Sequence, residues 1–209
     1  MEESYSYNII KGSSSAEIVV TKSKFIADLR PVSSVSEAED MILSVRKKYN
    51  DARHNCYAYI VMEGDGIVKK SSDDGEPSGT AGRPMLSVME GAGLVNAVCV
   101  VTRYFGGVLL GTGGLVRAYS DAVSEAMGKC EITPIRRGRY IETECDYADE
   151  GSVRRLFESM DYSIIESSYA EKVLMKVLGP EEKSDSLIGM LVDRTGGRAS
   201  GKPGESTYY

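Results

Sequence analysis

The spacing of apolar and polar residues changes its period repeatedly and predicts alternating strands and helices. Short apolar or alternating runs predict strands at residues 17–20, 24–29, 55–62, 67–71 and 94–101. A three-to-four-residue repeat predicts helices at 36–49 and 115–128, with Ser36 as the first N-cap, and Pro84 begins a short helix, 84–90. The run 94–101 is the most apolar, so it is predicted to be a central strand.

A second pattern follows residues 133–138, which contain Pro134 and Arg136 and are predicted to be a linker. The elements after it are predicted at 139–146, 152–160, 162–169, 172–178, 182–195 and 199–208, in the order strand, helix, strand, strand, helix, strand. That order is the split βαβ, ferredoxin-like arrangement. We therefore predict an α+β protein with two domains, residues 1–132 and 138–209.

Composition and charge restrict the kinds of partner. The chain has 209 residues, of which 42% are hydrophobic and 27% charged, as in globular proteins. Both predicted domains are net acidic within a total charge of -6, which disfavours binding to nucleic acid through bulk charge, and no DNA partner is expected. The N-terminus lacks the pattern of a signal peptide and no apolar run reaches membrane-spanning length, so we expect a cytoplasmic protein with no membrane partner.

Metal and redox chemistry have few candidate ligands. Cys56, Cys99, Cys130 and Cys145 form no Cys-x-x-Cys pair, and His54 is the one histidine. Reduced cysteines are the favoured interpretation, and neither a metal nor a cofactor is expected. His54 and Cys56 would share one face of a strand, so a nucleophilic pair is conceivable. A strand-edge histidine and a core cysteine explain the same residues and are favoured.

The first unusual segment, residues 72–86, combines acids with small residues. Asp73, Asp74 and Glu76 fall within four positions, and glycines then permit close backbone approach. Such acids can bind a cation, a basic side chain or the edge of a base. They can equally form a solvated turn that caps a helix, which composition alone favours.

The second unusual segment, residues 102–117, is predicted to connect a buried strand to a helix. Its glycines are Gly106, Gly107, Gly111, Gly113 and Gly114. This order can aim backbone N–H groups at an anion, with added charge from Arg103 and Arg117. No P-loop is present, and Val116 stands where a dinucleotide fingerprint needs its third glycine. Tight packing of helix against sheet is the equal alternative.

Three stretches resemble the IMPACT family: Asp51-Ala-Arg-His54, residues 72–86, and the run 100–119. The resemblance implies a first domain with the fold of the second domain of ribosomal protein S-five, and a second domain like a ferredoxin-like domain of elongation factor G. It also implies a link to translational control, because eukaryotic members restrain an initiation-factor kinase by competing for its activator. That activity involves an N-terminal RWD domain, so the kinase pathway is not transferred.

The leading hypothesis is a translation-linked regulatory protein that binds RNA or a protein of the translation apparatus without turnover. The competing hypothesis is an enzyme whose acids and glycine loop act on a nucleotide or phosphoester. We expect the two segments to meet in space, with an acid paired to Arg103, and we expect Arg83, Arg103, Tyr104 and Arg117 to form an exposed binding patch. The full set of predicted binding residues is His54, Asp73, Asp74, Glu76, Arg83, Arg103, Tyr104, Gly106, Gly107, Gly111, Gly113, Gly114 and Arg117.

Overall fold

The computed structural model describes residues 7–64 and 66–209 and divides into two compact units, Tyr7–Pro134 and Ile135–Tyr209. Residues 1–6 of the first predicted domain, and residue 65 between the predicted strands 55–62 and 67–71, lie outside the described residues. The first unit contains strands β1 (Tyr7–Lys11), β2 (Ser14–Val20), β3 (Ser23–Pro31), β4 (His54–Glu63), β5 (Gly66–Ser72), β6 (Ala97–Tyr104) and β7 (Glu131–Ile135), and helices α1 (Val35–Lys48), α2 (Gly82–Gly91) and α3 (Gly111–Met127).

The main sheet of the first unit has the strand order β2-β3-β6-β4-β5, so the apolar strand β6 is central. Every pairing is antiparallel. Alternate residues face opposite sides: Cys56, Ala58 and Ile60 join the core with α2 and α3, whereas Tyr59 and Val61 join the core with α1. The sheet is therefore covered by helices on both faces. Its register places Arg103, near the end of β6, opposite both His54 and Phe25.

Several element boundaries differ from the predicted ones. The N-cap of α1 is Ser34, whose Oγ accepts the N–H of Glu37, while the Glu37 carboxylate accepts the N–H of Ser33. The prediction of Ser36 is therefore wrong: Ser34 caps the helix, and the Glu37 carboxylate reaches back to Ser33, one residue beyond its partner in a capping box. Helix α2 begins two residues before Pro84, and α3 takes in Gly111, Gly113 and Gly114, which were assigned to a loop.

The second unit contains β8 (Arg137–Cys145), α4 (Glu150–Ser159), β9 (Ser163–Tyr169), β10 (Val173–Pro180), α5 (Ser184–Thr195) and β11 (Ser200–Tyr208). Its antiparallel sheet has the order β11-β8-β10-β9, with a core that includes Ile141, Phe157 and Leu187. The predicted α+β class and split βαβ domain are confirmed.

The predicted linker is not an open segment. Residues 133–135 belong to β7, which pairs with β1, and β8 begins at Arg137. Between them, Arg136 exchanges two backbone hydrogen bonds with Tyr209, at 2.9 and 3.0 Å. The pairing of β1 with β7 joins residues more than a hundred positions apart, and these two short strands carry no clear alternation in the sequence. Within the described residues, no helix has the length and apolar character needed to cross a membrane.

Candidate functional site

The two polar segments meet at the end of the main sheet where β4 begins and β6 ends. Arg103 Nη1 donates to both carboxylate oxygens of Glu76, at 2.7 and 3.0 Å. The side chains of this pair are 7% and 3% exposed. The predicted meeting of the segments and the predicted acid–guanidinium pairing are thus both present, with Glu76 as the acid.

The Arg103 side chain is buried rather than exposed. Its guanidinium lies 5.5 Å from the ring centre of Phe25 and 5.6 Å from that of Phe105. Its Nε is buried and has no hydrogen-bond partner in the described part of the chain. The expectation of an exposed Arg103 in a binding patch is therefore wrong, because the ion pair with Glu76 holds the guanidinium inside the domain.

A buried chain of hydrogen bonds continues from this ion pair into the core. The Tyr119 hydroxyl donates to Glu76 Oε1 at 2.8 Å, and the Cys56 thiol lies 3.3 Å from the Tyr119 oxygen and 2.9 Å from the carbonyl of Asp73. Burial raises the pKa of Cys56 to about 12. The thiol is consequently protonated near neutral pH, which disfavours the nucleophilic pair with His54.

Asp73 stabilises the beginning of α2. Its Oδ1 accepts the N–H groups of Ala81 and Gly82, both at 2.9 Å, and its Oδ2 accepts the N–H of Gly79 at 2.8 Å. Burial alone would raise the pKa of Asp73, but these three backbone N–H groups lower it below its ordinary value. This carboxylate therefore satisfies free donors at a helix N-terminus.

Asp74 fixes the turn that leads away from β5. Its Oδ1 accepts from Arg46 at 2.6 Å, and its Oδ2 accepts the backbone N–H of Asn55 at 2.8 Å. Its carbonyl lies 2.9 Å from His54 Nδ1. Each carboxylate oxygen of the three acids thus has a donor within the protein: helix capping accounts for Asp73, and basic side chains of the protein itself bind Asp74 and Glu76. No group of three or more metal-ligating side chains occurs within residues 7–64 and 66–209.

The glycines of the second segment are required for different structural reasons. A Cβ on Gly106 would lie 2.0 Å from the carbonyl carbon of Lys22, so this glycine permits contact with the β2–β3 turn. Gly107 and Gly111 have φ values of 85° and 70°, which favour glycine. A Cβ on Gly113 would meet no atom within 4 Å, and one on Gly114 would lie 3.0 Å from Leu110. Close packing explains the first of these glycines and turn geometry the next two.

A cavity of about 500 Å³ opens beside these segments. Its lining residues are Asp51, Arg53, His54, Arg103, Tyr104, Phe105 and Leu109. The Tyr104 hydroxyl donates to Asp51 at 2.7 Å, and this hydrogen bond raises the pKa of Tyr104 to about 12. Three predicted binding residues, His54, Arg103 and Tyr104, therefore line the cavity.

The remaining two arginines of the predicted patch lie elsewhere. Arg83 and Arg117 are exposed near the first turns of α2 and α3 and are not among the lining residues. Four lining residues were not predicted: Asp51, Arg53, Phe105 and Leu109. Leu109 is 85% exposed and Phe105 is 54% exposed. The signal in the sequence is the apolar content of a loop between glycines, where solvated residues are more usual.

Comparison with known proteins places the chain in one family. A model of the Impact N-terminal domain matches residues 21–127, and a model of a domain of unknown function, DUF1949, matches residues 143–198. The IMPACT family member YvyE of Bacillus subtilis (strain 168) is 38% identical over 204 residues, which cover 98% of this chain and 94% of YvyE.

Two further similar proteins match different fractions of this chain. Protein IMPACT of Rattus norvegicus is 36% identical over 100 residues, which cover 46% of this chain and 31% of the rat protein. A solved structure described as a hypothetical protein is 34% identical, with a TM-score of 0.59 and coverage of 96% of this chain and 98% of that one. Both family models and the nearly full-length match to YvyE lead to one conclusion: the chain belongs to the IMPACT family, in its bacterial two-domain form.

Proposed function

We propose that the protein acts in translational control in the cytoplasm, by binding a component of the translation apparatus without chemical turnover. Family membership supports the link to translation, because the eukaryotic members to which the resemblance points act on the control of initiation. The proposal covers the ribosome, its RNA and translation factors as partners, and it excludes DNA and membranes.

The contrast between the acids and the neighbouring loop carries this proposal. Asp73, Asp74 and Glu76 each bind groups of the protein itself, and the Cys56 thiol is buried and protonated. By comparison, residues 105–110, which we name the apolar loop, leave several large side chains in water. A surface of this kind supports recognition, because an exposed apolar patch on a folded domain often marks a binding site.

Leu109 has the most exposed large side chain of the apolar loop, so its burial would contribute most to the free energy of binding. Complete burial of a leucine side chain contributes about 1.5 to 3 kcal/mol, and this residue begins at 85% exposure. Phe105 and Val108 are 54% and 44% exposed and extend the same loop. We therefore infer that the apolar loop and the adjacent cavity form the contact surface.

Retention on purified translation components tests the proposal. Ribosomal subunits and purified translation factors are incubated separately with the wild-type protein and with Leu109→Ser, and bound protein is measured after sedimentation or capture. Leu43→Ser is the matched control, because Leu43 is 53% exposed on α1, which packs on the opposite face of the sheet. We expect wild type and Leu43→Ser to be retained on the same component and Leu109→Ser to bind at least tenfold more weakly, at about 1.4 kcal/mol per tenfold.

The enzyme hypothesis is tested on the same preparations. Nucleotides and a phosphoester are incubated with wild type and Asp74→Asn, and product is measured over time. Retention on no component would contradict the proposal. Product formed by wild type and abolished in Asp74→Asn would replace it with the phosphoester or nucleotide enzyme.

A further inference from the structure

The cavity beside the apolar loop has the size of a ligand site. Its volume is about 500 Å³, within the range of about 300 to 1,000 Å³ that small-molecule sites occupy. Strand ends form part of its wall, since His54 begins β4 and Tyr104 ends β6, whereas Asp51 and Arg53 precede β4 and Phe105 and Leu109 follow β6. The part of the wall on paired strands is held in place by the backbone, so a ligand would meet a partly preformed surface.

Two aromatic rings in the wall are held in position by polar partners. The guanidinium of Arg103 lies 5.6 Å from the ring centre of Phe105, and Phe105 remains 54% exposed. The hydroxyl of Tyr104 donates to Asp51, and the Lys24 ammonium lies 5.4 Å from the Tyr104 ring. Accessible aromatic rings are the platforms on which bases stack in single-stranded nucleic acid binding.

The wall also carries charges of both signs. Arg53 is exposed and makes no hydrogen bond or ion pair with any other residue of 7–64 and 66–209. Asp51 offers Oδ2, since its Oδ1 is the atom that accepts from Tyr104. His54 Nδ1 donates to the carbonyl of Asp74, which leaves the Nε2 edge of the imidazole as an acceptor in the neutral ring. The cavity thus combines a free cation with two acceptors and two rings.

This combination fits a ligand that has an anion, a planar ring and N–H donors in one unit. A purely acidic peptide segment would satisfy Arg53 but would be repelled by Asp51 and would leave the rings without a planar partner. A nucleotide satisfies all three features, with its phosphate at Arg53, its base against Phe105 and its base N–H groups at Asp51 or His54.

We propose that this cavity binds a nucleotide unit, supplied by a single strand of RNA. The inference deepens the proposed function and rests on it, because translation is where such a strand would be met. It assigns roles that the acids of the glycine-rich segment do not fill: Arg53 as the phosphate contact, Phe105 as the stacking platform and Asp51 as the acceptor for the base.

Fluorescence anisotropy with a labelled single-stranded oligoribonucleotide of mixed sequence tests the inference directly. The proteins are wild type, Arg53→Gln, Phe105→Leu and the control Arg30→Gln. Arg30 is an exposed arginine near the end of β3 that is remote from the cavity. It lies opposite Val98, at the beginning of β6, whereas the cavity lies at Arg103 and Tyr104, where β6 ends. A second arm replaces the oligonucleotide with free nucleoside monophosphates and separates a nucleotide ligand from a strand. Melting temperatures confirm that each variant is folded.

Phe105→Leu is expected to weaken oligonucleotide binding about tenfold, as the loss of one stacked base does. Arg53→Gln is expected to weaken it and to reduce the slope of log affinity against log salt by about 0.7, the value for one phosphate contact on a single strand. Arg30→Gln should bind like wild type. Tighter binding of the oligonucleotide than of the monophosphates supports the strand, and equal binding supports the nucleotide chemistry with a free nucleotide as its source.

Failure to bind either ligand, or binding that neither Arg53→Gln nor Phe105→Leu alters, would overturn the inference. Binding of an acidic peptide in place of the oligonucleotide, with the same dependence on Arg53, would also overturn it. These outcomes differ from failure of the proposed function, because retention on a translation component that depends on Leu109 persists if only the nucleotide assignment is wrong.

Discussion

Removing the guanidinium of Arg103 should destabilise the first unit far more than removing an arginine from an exposed ion pair. Arg103→Met leaves the Glu76 carboxylate, 3% exposed, with only the Tyr119 hydroxyl as a donor. It also removes the contacts of the cation with two aromatic rings. Breaking a buried pair from one side costs about 3 to 5 kcal/mol, because an uncompensated charge remains inside the protein.

The comparison is with Arg46→Met, which removes the partner of Asp74. That pair has a similar N–O distance, 2.6 Å, but its side chains are 40% and 27% exposed. Solvent screens such a pair, so the expected loss is about 0 to 1 kcal/mol. A third variant, Glu76→Gln combined with Arg103→Met, keeps an acceptor for Tyr119 and removes both charges. Its loss of stability should be smaller than the sum of the losses in the single variants Glu76→Gln and Arg103→Met by about 0.5 to 3 kcal/mol.

Urea unfolding followed by circular dichroism measures these differences, and hydrogen exchange of β4 and β6 amides restricts the readout to the first unit. With a denaturant slope of about 2 kcal/mol per M, the loss in Arg103→Met corresponds to a midpoint about 1.5 to 2.5 M lower. Equal losses in Arg103→Met and Arg46→Met would refute the reasoning, since burial of the pair would then have no energetic consequence.

Three further predictions concern the acid, the glycines and the thiols. Because the pKa of Asp73 is lowered in the folded protein, its contribution to stability is present above the ordinary value of 3.8 and is lost as pH falls through the folded value. In Asp73→Asn the free energy of unfolding should therefore fall less steeply as the pH is lowered below about 4. An unchanged dependence on pH would contradict this. Gly106→Ala should lose about 3 kcal/mol or more because its Cβ meets the Lys22 backbone, whereas Gly113→Ala, with open space, should gain up to about 1 kcal/mol in urea unfolding. A thiol reagent at pH 8 should modify the partly exposed Cys130 and spare Cys56 and Cys99, whose pKa values burial raises; fast labelling of Cys56 would show that the site opens.

The parts of the fold that the sequence predicts are those governed by local periodicity. The nearly continuous apolar runs in 55–62 and 94–101 reflect a sheet covered on both faces, and the helical repeat of 36–49 reflects packing of α1 on one of them. Strands β1 and β7 were missed because they pair with each other across most of the first unit, and local patterns carry no information about such a partner.

The meeting of the two polar segments was predicted, but not which of the three acids pairs with Arg103. Three carboxylates within four residues are equivalent in the sequence, and the turn decides which one reaches Arg103. Asp74 and Gly75 have φ values of 43° and 87°, and beyond this turn Glu76 points into the core while Asp74 pairs with Arg46. The burial of Arg103 was unpredictable for the same reason, because its partner comes from another segment of the chain.

Protein synthesis in a reconstituted mixture of purified translation components tests the central claim most directly. We predict that wild-type protein changes the yield of a reporter and that Leu43→Ser changes it equally. At concentrations well below those at which wild type reaches its full effect, Leu109→Ser should have about a tenth of the effect, from the loss of about 1.4 kcal/mol of binding. An unchanged yield with wild type, or an effect that Leu109→Ser retains in full, would contradict the claim that this protein acts on translation by binding through the apolar loop.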